Sequence, residues 1–391
     1  MAYPLNALVD SVLTPPIAEA WSWVEGRDFP TNRPLVDVCQ AVPGYPPHDS
    51  LARHVAMRAA LPETARYTDI AGIAPLREAL AADIRARYGG GVEARHVLIT
   101  AGCNQAFFSA MIALARTGDE VILPLPFYFN HEMTLTGLGI RAVALACDAD
   151  AGGVPDALAA ARLITPATRA IVLVTPNNPT GAVYPPATIR AFHDLCAKRG
   201  IALVIDETYR DFLADNARPH DLFGDPAWDE TFVHLYSFSK AYALTGYRVG
   251  AVACGARLGA AIAKVQDCVQ ICAPRIGQDA ALFGLQTLDG FRKEKCALMA
   301  ERADALRRAF ATPGLRYRML SCGAYFAYVR HPFEGSSSVS VARRLATEHN
   351  LLCLPGSYFG PGQDAYLRFA FANLDADWMP EIARRLIDSQ G

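Results

Sequence analysis

The feature that most constrains this chain is a regular alternation of short apolar runs and longer helical patterns between about residues 75 and 255. The runs are HVLIT, EVILPL, RAVALA, AIVLVT, ALVIDE, FVHLYSF and RVGAVAC. Several are continuously apolar, which is typical of strands covered on both faces. Segments between them, such as PPATIRAFHDLCAKRG, begin at proline and end at glycine, as helices do. The alternation predicts an α/β fold with a mainly parallel, seven-stranded sheet wrapped by helices.

The pattern changes after about residue 290. A long helical stretch, RKEKCALMAERADALRRAF, leads to two short strands, GAYFAYV and AYLRFAF. This order predicts a smaller α+β domain. The first residues lack strand alternation, and we expect them to pack on that domain. The predicted division is residues 46–285 for a large cofactor-binding domain, and residues 1–45 with 286–391 for the small one.

Composition excludes several classes of protein. Hydrophobic residues make up 52% of the 391 residues and charged residues 19%, which excludes disorder. A net charge of −2 without a basic run argues against nucleic-acid or membrane partners. No run reaches the ~18 apolar residues of a membrane span, and the N-terminus has no basic flank of a signal peptide. Ten cysteines without a CxxC pair and nine histidines without ligand spacing predict no metal site and a reducing compartment, the cytoplasm.

Polar residues follow the predicted strands at the edge where parallel sheets bind ligands. After HVLIT come Gly102, Cys103 and Asn104, whose amides would point from a helix start toward an anion. Asn178 follows AIVLV, where an asparagine can serve a turn or donate to a ligand oxygen. Asp206 closes ALVI, and a carboxylate at a buried edge needs a cationic or protonated partner.

The remaining strand ends add a tyrosine, hydroxyls and two cations. Tyr209 follows Asp206, Ser237 and Lys240 follow FVHLY, and Arg248 opens the next strand. Taken singly, each has an ordinary explanation, such as a solvated surface lysine. Together they suit a phosphorylated aromatic pyridine aldehyde: the lysine forms a Schiff base, the carboxylate keeps the ring nitrogen protonated, and the cation, hydroxyl and amides hold the phosphate.

The combined motifs resemble the class I/II aminotransferases, the aspartate-aminotransferase-like pyridoxal-phosphate enzymes of fold type I. The pattern S-x-S-K followed by G-x-R stands here as Ser237, Ser239, Lys240, Gly246 and Arg248. NNPTG at 177–181 and D-x-x-Y at 206–209 come in the expected order, and the resemblance spans about residues 35 to 373. It implies pyridoxal 5'-phosphate as cofactor and ping-pong transfer of an amino group from an L-amino acid to a 2-oxo acid.

The resemblance also implies a role for each matching residue. Lys240 would carry the cofactor and move the substrate α-proton, and Asp206 would pair with the ring nitrogen. Tyr209 and Asn178 would hydrogen-bond the phenolic oxygen, and Asn178 would also lie near the substrate. The phosphate would be held by Gly102, Cys103, Asn104, Ser237 and Arg248.

Four further positions match the family. Tyr128 would stack on the pyridine ring, and Arg368 would grip the substrate α-carboxylate. Gly44 would lie close to the substrate, where a side chain would crowd the ligand. Tyr67 would reach the phosphate of the neighbouring subunit, which implies a homodimer with shared active sites.

Several points stay open at the level of sequence. Cys103 stands where small residues are more usual, and His131 stands where a second aromatic is common and could serve the cofactor or only the fold. Arg275 could meet a substrate carboxylate or the cofactor phosphate. The same machinery would serve a lyase, a decarboxylase or an oxygen-using enzyme, and a non-enzymatic cofactor-binding protein is a further alternative. The substrate is not fixed, although aromatic residues near Tyr45 and Tyr128 favour an apolar or aromatic amino acid.

Overall fold

A computed structural model describes residues 3–148, 150, 152–213 and 218–391. Its strands are β1 (Val36–Asp37), β2 (Val97–Thr100), β3 (Glu120–Pro124), β4 (Arg141–Leu145), β5 (Thr168–Val174), β6 (Ala202–Asp206), β7 (Phe232–Ser237), β8 (Gly250–Ala253), β9 (Arg318–Gly323), β10 (Phe326–Arg330), β11 (Leu351–Leu352), β12 (Leu354–Pro355) and β13 (Tyr366–Ala370).

The α-helices are α1 (Ala7–Asp10), α2 (Pro16–Ser22), α3 (Asp49–Ala59), α4 (Ala74–Tyr88), α5 (Cys103–Leu114), α6 (Phe129–Gly137), α7 (Ala157–Ala161), α8 (Pro186–Arg199), α9 (Trp228–Thr231), α10 (Ala256–Gln270), α11 (Arg275–Thr287), α12 (Asp289–Phe310), α13 (Ser338–His349) and α14 (Met379–Asp388). Short 3₁₀ turns lie at Pro62–Ala65, Ala94–His96, Arg210–Phe212, Leu222–Gly224, Thr245–Tyr247, Gly356–Phe359, Phe371–Asn373 and Ala376–Trp378. No helix within these described ranges is both long and apolar enough to cross a membrane.

The central sheet has seven strands in the order β2-β8-β7-β6-β5-β3-β4. Neighbouring strands from β7 through β6, β5 and β3 to β4 run parallel, whereas β8 runs antiparallel to both β2 and β7. All seven strands predicted from the apolar runs are therefore confirmed, together with the α/β fold class. The single reversed strand matters for the site, because it brings its beginning to the edge where its parallel neighbours end.

Two apolar layers cover the sheet, one on each face. Along β5, Ile171 and Leu173 belong to one buried cluster and Val172 to the other, as the alternation of side chains in a strand requires. The helices end where the sequence predicts: α8 stops at Gly200, which has left-handed backbone angles (φ 63°, ψ 35°). A sheet buried on both faces leaves its strand ends as the place where polar side chains can gather.

The C-terminal part carries a second, antiparallel sheet in the order β12-β13-β10-β9. The sequence predicts only two of these four strands, so that prediction was incomplete. The N-terminal segment is tied to this part, because Val36 of β1 pairs with Leu351 of β11 in a parallel two-stranded sheet. The backbone amide of Ala370 also donates to Val38 O. The boundaries at residues 46 and 286 stay a prediction.

Candidate active site

A cavity of about 170 Å³ lies at the edge of the large sheet where the parallel strands end. It is lined by Cys103, Asn104, Tyr128, Val174, Asn178, Asp206, Thr208, Tyr209, Ser237, Ser239, Lys240 and Arg248. The fold thus gathers nearly all of the predicted cofactor-binding residues around one space. Gly102 precedes the helix that reaches the cavity, and Tyr67 lies elsewhere on the chain surface.

The two cations of the cavity come from neighbouring strands. Lys240 follows the end of β7, and Arg248 stands two residues before the antiparallel β8. Ser237 of β7 pairs directly with Gly250 of β8. The end of one strand and the beginning of the next therefore deliver an amine and a guanidinium to the same edge.

The amine of Lys240 has an unusual environment. Its Nζ donates to Ala41 O over 2.6 Å, and the rings of Tyr209 and Tyr325 lie 5.8 Å and 5.9 Å from it. Removal from water, followed by the positive charges of Arg368 and Arg248, lowers the pKa of Lys240 to about 8. About a tenth of this amine is therefore unprotonated at pH 7, and about half at pH 8.

Asp206 is buried, and burial alone would raise the pKa of its carboxyl. Its donors outweigh that effect and hold the pKa below the usual value. The Nε2 atom of His131 lies 3.4 Å from Asp206 Oδ2, and the amide of Thr208 donates to Oδ1 over 2.9 Å. The His131 ring is fixed by stacking on Phe107, with centroids 4.0 Å apart. Thr208 was not among the predicted site residues, and the role of His131 was left open between the cofactor and the fold. The partner that a buried carboxylate at residue 206 needs was a signal to search for such donors.

The residue after Asp206 anchors the same strand end on its other side. Glu207 is fully buried and accepts a hydrogen bond from Tyr88 Oη at 2.7 Å. Its carboxylate also lies 2.9 Å from His234 Nε2 on β7. Burial alone would raise the pKa of Glu207, but the facing His220 and His234 lower it by more than burial raises it. The net pKa is below its usual value, so the carboxylate stays ionised. This contact joins the residue that follows β6 to the middle of β7.

The N-terminus of the 12-residue helix α5 forms one wall of the cavity. Gly102 precedes it with φ 86° and ψ 168°, a combination essentially restricted to glycine. A Cβ there would lie 2.5 Å from Arg248 Nη2, so the guanidinium sits directly against the helix start. Beside it, the Ser237 hydroxyl accepts from the amide of Ser239 at 3.2 Å and can still donate. The amides at a helix start, a hydroxyl and a guanidinium together fit a phosphate group.

The remaining lining residues surround the space between lysine and carboxylate. Burial raises the pKa of Tyr209 well above its usual value, so its hydroxyl remains a donor. Burial likewise raises the pKa of Cys103, which stays a thiol in hydrogen-bond contact with Thr208 and Asp206. The Tyr128 ring stands edge-on to His131, at 5.2 Å between centroids.

Arg368 projects from β13 of the small sheet and is only 1% exposed. Its Nη1 donates to Asn178 Oδ1 over 3.0 Å, and its Nη2 donates to Cys39 O. In the part of the chain that the structure describes, its buried Nε has no partner. The planar guanidinium of Arg368 is held in place and has a free N–H donor, which suits binding of a planar carboxylate.

Gly44 and Tyr67, like Gly102 and Arg368, are predicted site residues that do not line the cavity. A Cβ on Gly44 would lie 2.8 Å from backbone atoms of Asn373, so contact between two backbone segments already requires a glycine here. The side chain of Tyr67 is 76% exposed and borders a separate hollow that also contains Arg275. Arg275 pairs there with Asp279 at 3.1 Å. Within one chain, neither Tyr67 nor Arg275 lines the cavity.

The sequence model of the family described as aminotransferase class I and II matches residues 33–386. The chain belongs to the class I and II aminotransferases. This aminotransferase is 32% identical over 352 residues to the arginine–pyruvate transaminase AruH of Pseudomonas aeruginosa, covering 88% of this chain and 87% of the relative. It is 31% identical to the aspartate/prephenate aminotransferase of Thermus thermophilus, covering 89% and 90% of the two chains.

A solved aspartate aminotransferase from Thermus thermophilus, with maleate, has the same architecture. The TM-score is 0.90 at 25% sequence identity, over 99% of this aminotransferase and 100% of that chain. The predicted family, fold class and enzymatic nature are therefore confirmed. Members of this family generally depend on pyridoxal phosphate, and the donor set around the cavity fits that group.

Proposed function

We propose that the cavity holds pyridoxal 5'-phosphate and that Lys240 is the reacting amine. The enzyme moves an amino group from an L-amino acid to a 2-oxo acid by a ping-pong cycle. One observation carries the proposal: Lys240, Asp206 and Arg248 line a single cavity beside the N-terminus of α5. An amine, a carboxylate and a phosphate site in one small space are the three requirements of this cofactor.

Each wall of the cavity has a separate task in holding the cofactor. Arg248, Ser237 and the amides at the start of α5 would bind the phosphate. Asp206 would face the ring nitrogen as an anion, because His131 and Thr208 keep the pKa of its carboxyl low. Tyr209 and Asn178 would bind the phenolic oxygen, and Tyr128 would cover the ring face. When bound, pyridoxal phosphate supplies an electron-accepting ring that stabilises the charge left at the substrate Cα.

Lys240 moves the proton. With a pKa of about 8, its amine can take the substrate α-proton near neutral pH and hold it on Nζ for return. Arg368 would bind the α-carboxylate through its fork and so fix the direction of the Cα–H bond relative to Nζ.

The decisive experiment adds one L-amino acid at a time to the purified, cofactor-loaded protein without any oxo-acid acceptor. One equivalent of 2-oxo acid per active chain should form from the preferred amino acid. Lys240→Ala should form none, whereas Lys264→Ala, which removes an exposed lysine on α10, should match the natural chain. Release of amine, ammonia or peroxide in place of the oxo acid would assign the chain to a lyase, decarboxylase or oxygen-using reaction.

The active unit is proposed to be a homodimer with shared sites. Tyr67 is 76% exposed and lies beside Arg275 in a hollow of about 690 Å³. The chain also exposes large apolar side chains at Met57, Val269 and Ile271. An interface here would bury this surface, and Tyr67 would reach the partner's phosphate site.

Subunit mixing tests that arrangement. Lys240→Ala chains and Tyr67→Ala chains should each be poorly active alone. After exchange of subunits, mixed dimers should regain activity, because one site combines an intact Lys240 with the other chain's intact Tyr67. Mixtures that stay as inactive as the separate variants would show that Tyr67 does not serve a neighbouring subunit.

The same proposal locates the enzyme in the cytoplasm. The ten cysteines form no disulfide within the described residues, and unpaired thiols in such number are typical of a reducing compartment. Fractionation of the source cells, with the activity followed in each fraction, would test this location.

A further inference from the structure

The main-chain carbonyl of Lys240 is hydrogen-bonded to two buried tyrosines. Tyr45 Oη donates to Lys240 O over 2.9 Å, and Tyr325 Oη lies 3.3 Å from the same oxygen. The two hydroxyl oxygens are 3.2 Å apart. A phenol has a single proton to donate, so the two hydroxyls and the carbonyl form a hydrogen-bonded chain. One hydroxyl donates to the other, and the second donates to the carbonyl of Lys240, which fixes its position.

Both phenols belong to the N-terminal segment and the small sheet rather than to the strand that carries the lysine. Tyr45 lies between β1 and α3, and Tyr325 lies in the turn between β9 and β10. Tyr45 is 8% exposed and Tyr325 fully buried. Burial raises the pKa of both hydroxyls, so they remain donors at every working pH.

The backbones of the two tyrosines lead to the substrate-binding arginine. The amide of Phe371 donates to Tyr325 O, and the amide of Gly44, next to Tyr45, donates to Ala372 O, each over 3.0 Å. Residues 371 and 372 directly follow β13, the strand that carries Arg368. A continuous hydrogen-bonded path therefore runs from the Arg368 strand through both tyrosines to the backbone of Lys240.

We propose that Tyr45 and Tyr325 are positioning residues that align Lys240 for proton transfer according to the placement of the Arg368 strand. The amine of Lys240 is carried on a long side chain, so its reach depends on where its backbone is held. The same N-terminal segment also touches the amine itself through Ala41 O. The position of Arg368, which binds the substrate carboxylate, is thereby coupled through hydrogen bonds to the position of Lys240, which transfers the proton. This inference rests on the proposed role of Lys240.

Three variants test the connection: Tyr45→Phe, Tyr325→Phe and the double variant. The matched control is Tyr328→Phe on β10, because Tyr328 is also buried and donates one hydrogen bond, to Gln363 Oε1 at 2.9 Å, without contacting Lys240. The probe is the proteinogenic L-amino acid that the natural chain converts fastest in a single turnover, used with and without deuterium at Cα.

Tyr45→Phe, Tyr325→Phe and the double variant should lose about tenfold to a hundredfold in single-turnover rate, the scale of a misplaced reacting group. The deuterium effect on that rate should rise, while KM changes less than about threefold, as expected for an interaction used in the reaction step. Because the hydroxyls act as one chain, the double variant should be little slower than either single variant. Tyr328→Phe should keep the natural rate and isotope effect despite a similar fall in Tm.

A second measurement needs no catalysis. Hydrogen exchange of the cofactor-free protein should show faster exchange at residues 240–244 in Tyr45→Phe and Tyr325→Phe and natural rates in Tyr328→Phe. Equal turnover rates and equal exchange in all four variants, with an active natural chain, would overturn the positioning role alone. A natural chain that forms no oxo acid would overturn the proposed function instead.

Discussion

Replacing Gly102 by alanine should separate the cost of backbone strain from the cost of losing a phosphate-binding cation. The backbone at Gly102, with φ 86° and ψ 168°, lies in a region that costs a residue with a side chain about 1–3 kcal/mol. The new Cβ would also lie 2.5 Å from Arg248 Nη2. That guanidinium is the exposed end of a flexible side chain, so it can swing aside with little further loss of folding free energy.

Once displaced, the guanidinium no longer faces the phosphate. A charge-assisted hydrogen bond is worth about 1.5–3 kcal/mol, so the dissociation constant for pyridoxal phosphate should rise roughly tenfold to 150-fold. Titration of the cofactor-free protein, followed by absorbance, measures that constant. Chemical unfolding of the same cofactor-free protein measures the strain.

Gly259→Ala is the matched control. Gly259 lies within helix α10, has no positive φ, and a Cβ there would meet Leu98 Cδ1 at an ordinary 3.4 Å. Its cofactor affinity should stay natural, with unfolding free energy unchanged or raised by up to about 1 kcal/mol. If Gly102→Ala binds the cofactor as tightly as Gly259→Ala does, the placement of Arg248 at the phosphate is refuted. If its unfolding free energy is also natural, the strain argument fails as well.

Three further outcomes are expected. The rate at which the cofactor-free protein takes up pyridoxal phosphate should rise with pH, with a midpoint near 8, as the amine of Lys240 loses its proton. Measured by stopped-flow absorbance, Arg368→Gln should move that midpoint upward, because a nearby positive charge no longer favours the neutral amine. Gly250→Ala should lose about 1–3 kcal/mol of unfolding free energy in urea, since its Cβ would lie 2.6 Å from Gly102 C and 2.7 Å from Cys103 N, neither of which can move cheaply; a natural urea midpoint would contradict the packing. His131→Phe keeps the stacking on Phe107 but removes a donor from Asp206, so the pKa of that carboxyl should rise. The acid limb of the single-turnover pH profile should then shift to higher pH. An unmoved limb would show that His131 serves the fold only.

The strands of the central sheet were predictable because each is short, apolar and bounded by turn residues. The small sheet was harder. β9 mixes Arg318, Ser321 and Cys322 in a half-exposed edge position, and β12 has only two residues. Neither has a periodicity that a sequence pattern can detect, since their pairing partners β10 and β13 supply the reason for their extended form.

The candidate site divides in the same way. Lys240, Asp206 and Arg248 could be predicted because polar residues at the ends of apolar strands stand out in the sequence. The supporting contacts of His131, Tyr45 and Tyr325 could not, because they depend on side chains brought together from distant segments. Only Asp206 carried a hint, since a buried carboxylate must have a partner.

The reversed direction of β8 has a consequence for how this chain can change in length. The segment between Lys240 and Arg248 crosses from the end of one strand to the start of its antiparallel neighbour, where Ser237 pairs with Gly250. An inserted residue that shifted β8 by one position in this pairing would turn its side chains toward the opposite face of the sheet. The opposite edge of the sheet carries no such constraint, and the turn at Gly200 has open space around it. Insertions or fused segments should be tolerated there, while the stretch that joins the amine to the guanidinium keeps a fixed number of residues.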